Sequence, residues 1–595
     1  MEIEIRNCQN CHKEFSIEPE DFLFYEKISA VGGSASGGKV PPPTWCPECR
    51  MIRRSLFRNV KNLFRRKDSL TGKEIFSGIP PEAPVKVYDH DYWWSDLWDP
   101  VDYGRDYDFS RSFFEQFREL LYTVPWPSRD VLNLINSPYS NNIGWSKNCY
   151  LCFNGGNLED CVYVVDADSA KNSIDLTSVD GAELSYECFN LDNCFRTFFS
   201  IHCLECQNVW FSRDLTGCSN CFGCVNLRNK HYYIFNKAYS KEEYFKELQK
   251  FNLGSYESIR DFKIKAENFW SDYPTKYFHG WRNADVSGDL LSHSKNAKFS
   301  YNATGLEDSK YCQSVWDQVR DVYDATDVGW AETSYEFCQG GVDGANNLKF
   351  SFECWPAVHN IEYSAFCKSS SELFGCVGLK KKSYCILNKQ YSKEEYQALR
   401  ERIIKHMSEM PYFDSEKRRY IYGEFFSPEF SPFAYNDTIA QDFLPLDKDG
   451  ANKLGYKWRD PASGEHQIST TAKDLPDRIQ DVADSILTEV IQCLLCGGPY
   501  RLIPTELEFY RKIGLPIPRL CPDCRYLKRT KYRNPVHYYD RTCQCGGLKS
   551  ENSRYLNDAQ HSHGSLLCSN QFITTYPPDS TIIIYCEQCY NAEAV

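Results

Sequence analysis

Residues 222–244 read FGCVNLRNKHYYIFNKAYSKEEY, and residues 374–396 read FGCVGLKKKSYCILNKQYSKEEY, 152 positions further on. So long a near-identity marks an internal duplication, and an internal repeat governs the fold. Upstream of each copy, short β-rich pieces recur every 10–15 residues. They include DCVYVV at 160, AELSYE at 182, NCFRTFF at 193 and QNVWFS at 207, then AKFSY at 297, RDVYD at 320, ETSYEF at 332 and LKFSF at 348. Asn, Asp, Gly and Ser separate them, the residues that turn a chain. Short strands at regular spacing suit a parallel β-solenoid, whose coils stack only on their neighbours. Two such pieces per coil predict about 20–25 residues per turn. A β-sandwich of equal strand density is the alternative, and the duplication favours the solenoid.

A solenoid must close its open end. Ser240 with Glu243, and Ser392 with Glu395, form capping boxes that open helices. Tyr244, Leu248 and Phe251 share one helix face, as do Tyr396, Leu399 and Ile403. These helices are expected to plug the solenoids they follow. Helices are also predicted over 110–121 after Ser110, and over 474–492, running into Cys493.

The 29 cysteines fall into terminal and central groups. CPECRMIRRSLFRN at 46–59 matches CPDCRYLKRTKYRN at 521–534, and each follows an earlier Cys pair. Cys8, Cys11, Cys46 and Cys49 make one expected zinc site, and Cys493, Cys496, Cys521 and Cys524 a second. Four thiolates close a tetrahedral shell, which makes such an ion structural. For a third site the chosen ligands are Cys543, Cys545, Cys586 and Cys589, with Cys568, His561 and His563 as competitors. Near the N-terminus the same layout has lost its thiols: Asp68 stands where Cys543 does, and Asp89 where Cys586 does. That copy is expected to fold without metal. The sixteen central cysteines are read as small apolar residues filling a narrow core. AVGGSASGGK at 30–39 accounts for the longer loop of the first finger and is expected to be a flexible insertion.

After each CPxC block, basic residues recur at helical spacing. Arg50, Arg53, Arg54 and Arg58, and Arg525, Lys528, Arg529 and Arg533, form stripes that could contact phosphate. The competing expectation pairs them with the acidic remainder of the chain, whose net charge is −13. Nothing in the sequence is apolar for long enough to span a membrane, and no leader is evident, so a cytoplasmic protein is expected.

The paired CxxC blocks, each near FYEKI or FYRKI, resemble the family called probable zinc-ribbon domain. With WWSDLWDPVDYGRDYDFSRSFFEQF and IYCEQCYNAE added, the whole chain is similar to large uncharacterised zinc-ribbon proteins of candidate-phyla bacteria. The resemblance implies zinc ligands and no activity.

The expected architecture is mainly β with α caps: two duplicated parallel β-solenoids flanked by zinc-ribbon or treble-clef-like fingers. The boundaries read 1–67 for the first finger, 68–145 for the metal-free ribbon and aromatic segment, and 146–251 and 291–407 for the solenoids with their caps. Connectors at 252–290 and 408–492, a second finger at 493–541 and a ribbon at 542–595 complete the chain. The leading function is a non-enzymatic zinc-binding scaffold, contacting RNA or a ribonucleoprotein through the finger helices. A structural or self-associating assembly protein is the alternative. An enzyme using Asp321, Asp324 and Asp327 in a solenoid groove comes third.

Overall fold

Every third residue of the first array points into one narrow core, from Val131 through Ile143, Cys149, Cys152, Leu158 and Cys161 to Leu227. The residue before each inward position commonly sits in the left-handed region, with φ +54° at Asn148, +55° at Asn154 and +53° at Asp160. Asn and Asp tolerate that conformation because a short polar side chain bonds locally. The turn residues in the sequence are therefore corners, placed at every third position.

The computed structural model describes residues 2–30, 39–460 and 467–594. Most of the Gly/Ser-rich insertion at 30–39 lies outside the described residues. Parallel ladders set the coil length: Val165 faces Thr177, Ile174 faces Tyr186 and Ser219 faces His231. Equivalent atoms on successive coils are 12 residues apart, as in the bond from Asn148 Nδ2 to Asp160 Oδ1 at 2.8 Å. The solenoid expectation holds, but a turn of 20–25 residues does not. The β-rich pieces that recur every 10–15 residues are each a whole coil, because corners at every third position close a turn in 12 residues. The second array, from Gly280 to Ile386, follows the same rule, with longer coils where Leu306 faces Val319 and Ala331 faces Ala345.

The narrow core sets small inward side chains among its leucines and valines, and the central cysteines take these small positions. Cys188 Sγ lies 3.3 Å from the carbonyl oxygens of both Tyr186 and Thr197. Inward serines act similarly: Ser185 accepts from the Thr197 amide at 3.2 Å and donates to the Glu183 carbonyl. Thiols and hydroxyls thus fill the core while meeting backbone carbonyls that have lone pairs to spare. Among the described residues, no central cysteine belongs to a group able to hold a metal.

The chain divides into two units. One contains residues 1–129, 278–460 and 535–538, and the other 130–277, 461–534 and 539–595. The first finger therefore shares a unit with the second solenoid, and the second finger with the first solenoid. Parallel pairing also begins earlier than the expected starts at 146 and 291, with Val131 against Ile143 and Gly280 against Leu291.

Both capping boxes form, with Ser240 and Ser392 accepting from the amides of Glu243 and Glu395. Tyr244 packs edge-on against Tyr232 of the last coil, and Tyr396 against Tyr384. The helix expected over 110–121 runs Phe113–Thr123 and is capped by Ser112, not Ser110. The one expected over 474–492 is absent. Short 3-10 turns at Ile479–Asp481 and Asp484–Thr488 lead instead into a two-residue strand, Ile491–Gln492, before Cys493. β-branched Ile479, Val482, Ile486, Val490 and Ile491 disfavour a helix, and the end of the segment pairs with Thr470–Thr471 and Pro499–Tyr500 instead.

Candidate metal centres

Both CxxC pairs of the N-terminal finger converge. A hairpin pairs Glu4–Asn7 with Glu14–Ile17, its turn carries Cys8 and Cys11, and Cys46 caps the helix Pro47–Ser55 that bears Cys49. The second finger repeats this, with Cys493 and Cys496 on a knuckle and Cys521 capping Pro522–Thr530. Within each group all four sulfurs lie within 4.8 Å of one another. A tetrahedral ion with metal–sulfur bonds of about 2.3 Å sets sulfurs about 3.8 Å apart. Cys11 and Cys46 are 3.7 Å apart, and Cys496 and Cys521 3.8 Å.

Nearby donors favour the thiolate form of single sulfurs, whereas burial and neighbouring thiols push others up, Cys521 to about 12. Burial opposes ionisation of Cys493, but the amides of Cys496, Cys521 and Leu495 bring it down to about 7. In the C-terminal ribbon a hydrogen bond with Cys543 brings Cys586 down to about 4, against the effect of burial.

The third site needs a correction. Cys543, Cys586 and Cys589 gather with Cys568, not with Cys545. Cys545 instead joins His561, His563 and the same Cys589 in a second group. Beyond the strand Tyr539–Thr542 the chain turns at Cys545, which lies with the two imidazoles and only Cys589 of the first set. The competitors Cys568, His561 and His563 are the residues that complete both groups.

The ribbon expected to fold without metal keeps the knuckle with carboxylates in place of thiols. Asp68 accepts from Thr71 Oγ1 at 2.5 Å and from the amides of Thr71 at 2.9 Å and Asp89 at 3.2 Å. The last of these matches the Cys586 amide donating to Cys543 Sγ, also at 3.2 Å. Burial pushes the Asp68 carboxyl up, and these donors pull it below the usual carboxylate range. A carboxylate that collects local donors thus stands where the C-terminal ribbon has the Cys543 thiol.

The arginine stripes turn inward. Arg50, Arg53, Arg54, Arg58, Arg525, Arg529 and Arg533 are all at most 5% exposed, and only Lys528 among the named cations faces solvent. In the first unit Asp324 lies 2.9 Å from Arg50 and 3.1 Å from Arg54, which also reaches Thr326. Arg53 binds Glu336 at 2.9 Å and Glu424 at 2.7 Å, and Arg58 binds Asp327 at 2.5 Å. In the second unit Asp175 takes both Arg525 and Arg529 at 2.7 Å, Thr177 takes Arg529, and Glu506 takes Arg525 at 2.9 Å. Arg533 reaches Asp166 at 3.1 Å and Ser178 at 2.8 Å.

These contacts repeat with the sequence, DATD at 324–327 matching DLTS at 175–178. The seven arginines expected as a phosphate-binding face are thus turned to carboxylates of the solenoids, the second finger and the 408–492 connector inside each unit. Burial alone would lower the Arg53 pKa, and Glu336 and Glu424 more than reverse it. Asp324 and Asp327 belong to this clamp and Asp321 pairs with Lys27, so the three do not form a catalytic set in a groove. Sequence reasoning missed the acceptors because acidic corner residues are common throughout the arrays, and nothing local distinguishes Asp175 from Asp160.

No family model matches the chain, and no curated protein matches it. Among solved structures it is similar to a putative acetyltransferase from Desulfovibrio desulfuricans G20, with 8% identity over 49% of this chain and 75% of that one. The TM-score is 0.11, too low to support any inference. No described helix is long and apolar enough to cross a membrane.

Proposed function

We propose that this chain is a non-enzymatic zinc-binding scaffold of the zinc-ribbon kind, in which each finger is a clamp that fixes a β-solenoid. Zinc is the ion of choice because four thiolates in a closed tetrahedron suit it and leave no position for substrate. The observation that carries the reading is the pair of equivalent clamps, in which a knuckle-held helix sends buried arginines into solenoid carboxylates. A metal that fixes this helix also fixes the charges, and buried charges are tolerated only when well paired. None of the 29 cysteines is in a disulfide, which suits a reducing compartment such as the cytoplasm.

The solenoid faces are left to meet a partner or another copy of the chain, the assembly reading. An RNA or ribonucleoprotein partner would have to use cations other than the seven buried arginines. Native protein assayed for bound metal and copurifying nucleic acid tests this. The scaffold predicts metal in both fingers and preparations free of nucleic acid. Metal-free native protein, or an RNA complex abolished by Arg54→Ala with the fold intact, would overturn it.

A further inference from the structure

The C-terminal ribbon contains more ligands than one ion can use, and they are arranged as two tetrahedra sharing a corner. Cys543, Cys568, Cys586 and Cys589 form one group, and Cys545, His561, His563 and Cys589 the other, each with all ligand atoms within 4.8 Å. Cys568 and Cys586 sulfurs are 4.0 Å apart, and Cys589 Sγ lies 3.4 Å from His563 Nε2. Tetrahedral edges of about 3.8 Å for two sulfurs and about 3.5 Å for sulfur and nitrogen follow from ordinary zinc bond lengths. We propose that this ribbon holds a binuclear divalent-metal centre in which the Cys589 thiolate bridges two ions.

The surroundings of the histidines support a second ion. A metal-bound histidine characteristically donates its other ring nitrogen to a carboxylate or carbonyl. His561 Nε2 lies 2.7 Å from Glu593 Oε1, which leaves Nδ1 for the metal. His563 Nδ1 lies 2.7 Å from the Leu566 carbonyl, which leaves Nε2. Glu593 is held in turn by the amides of Asp558 and Ala559 and the hydroxyl of Tyr555. The His561 imidazole and Glu593 carboxylate are only 2% and 1% exposed, a buried pair, while the His563 bond to Leu566 lies at the exposed rim. The thiolates have their own donors: Asn557 Nδ2 is 3.2 Å from Cys545 Sγ, and Asn570 Nδ2 is 3.3 Å from Cys586 Sγ.

Charge points the same way. Five thiolates with two divalent ions carry one net negative charge, against two for four thiolates on a single ion, and the displaced thiol protons leave to solvent. The metal-free ribbon supplies the contrast. There the strands Phe64–Lys67 and Glu74–Ser77 are joined by the short turn 68–73, whereas Tyr539–Thr542 and Gln571–Thr574 are joined by 543–570. That longer connection brings in Cys545, His561, His563 and Cys568, every ligand the simple ribbon would lack.

The proposal rests on the terminal cysteines binding metal, and full-length protein loaded with 113Cd tests it separately. The expected result is four ions per chain, one for each ligand group, with two 113Cd resonances split by mutual coupling through the shared sulfur. Cys545→Ala with His563→Ala should remove one ion and abolish the splitting, leaving the two finger resonances unmoved as a check on folding. Three ions in the native chain, or four without mutual coupling, would overturn the binuclear centre. Loss of the finger resonances in the native chain would instead count against the scaffold itself.

Discussion

Asp175→Asn isolates the clamp of the second unit. The change keeps the shape and the tolerance for the left-handed corner, since Asp175 has φ +59°, and removes only the charge. Asp175 is fully buried and bonds Arg525 and Arg529 at 2.7 Å each. Arg525 would keep Glu506, but Arg529 would keep only the hydroxyl of Thr177. Breaking a buried pair by removing one partner costs about 3–5 kcal/mol, and the surviving Glu506 contact puts this case near about 3. Such a loss, at about 1.4 kcal/mol per decade, corresponds to roughly a hundredfold rise in opening of the docked helix. Native-state amide exchange over Pro522–Thr530 reads it directly. Asp160→Asn, at another corner of the same solenoid, should change stability by less than about 0.5 kcal/mol. Adding Arg529→Met to Asp175→Asn should recover much of the loss, because the orphaned charge is then gone. Unchanged exchange in Asp175→Asn, or an equal response in the Asp160 variant, would refute the clamp.

Three further outcomes are expected. Cys188→Ser should cost no more than about 1 kcal/mol, since serine already occupies equivalent inward positions, whereas Cys188→Leu should overpack the coil by about 1–3 kcal/mol; urea midpoints compare them. Asp68→Ala should cost about 1–3 kcal/mol by leaving the donors of Thr71 and Asp89 unmet, visible as faster exchange at those two amides. Around Glu362, burial pushes the carboxyl up, but Arg400 and Lys349 hold it below the ordinary range. A depressed folded pKa gives stability that is present above the unfolded value of about 4.3 and is lost as pH falls through the folded one. Glu362→Gln should therefore flatten that part of the acid denaturation curve.

The duplication 222–244 against 374–396 and the paired CxxC blocks made solenoids and knuckles legible, because repeats and metal spacing are local patterns. Coil length was not, since strand pieces show spacing but not how many close a turn. The direction of the arginine stripes was equally hidden. Arg50, Arg54 and Arg58 at helical spacing look the same whether they face water or Asp324 and Asp327, and their acceptors lie hundreds of residues away. The C-terminal ligands failed for a third reason. Pairing Cys543 with Cys545 follows sequence proximity, whereas the connection 543–570 folds back and brings Cys568 to Cys543 and both histidines to Cys545.

The most direct test of the central claim follows amide exchange in Pro47–Ser55 and Pro522–Thr530 as metal is chelated from the intact protein. Both helices should lose protection as the ions leave, while the solenoid cores around Leu176 and Leu348 stay protected. Helices that remain protected after complete metal removal would contradict the claim that the ions hold the clamps in place.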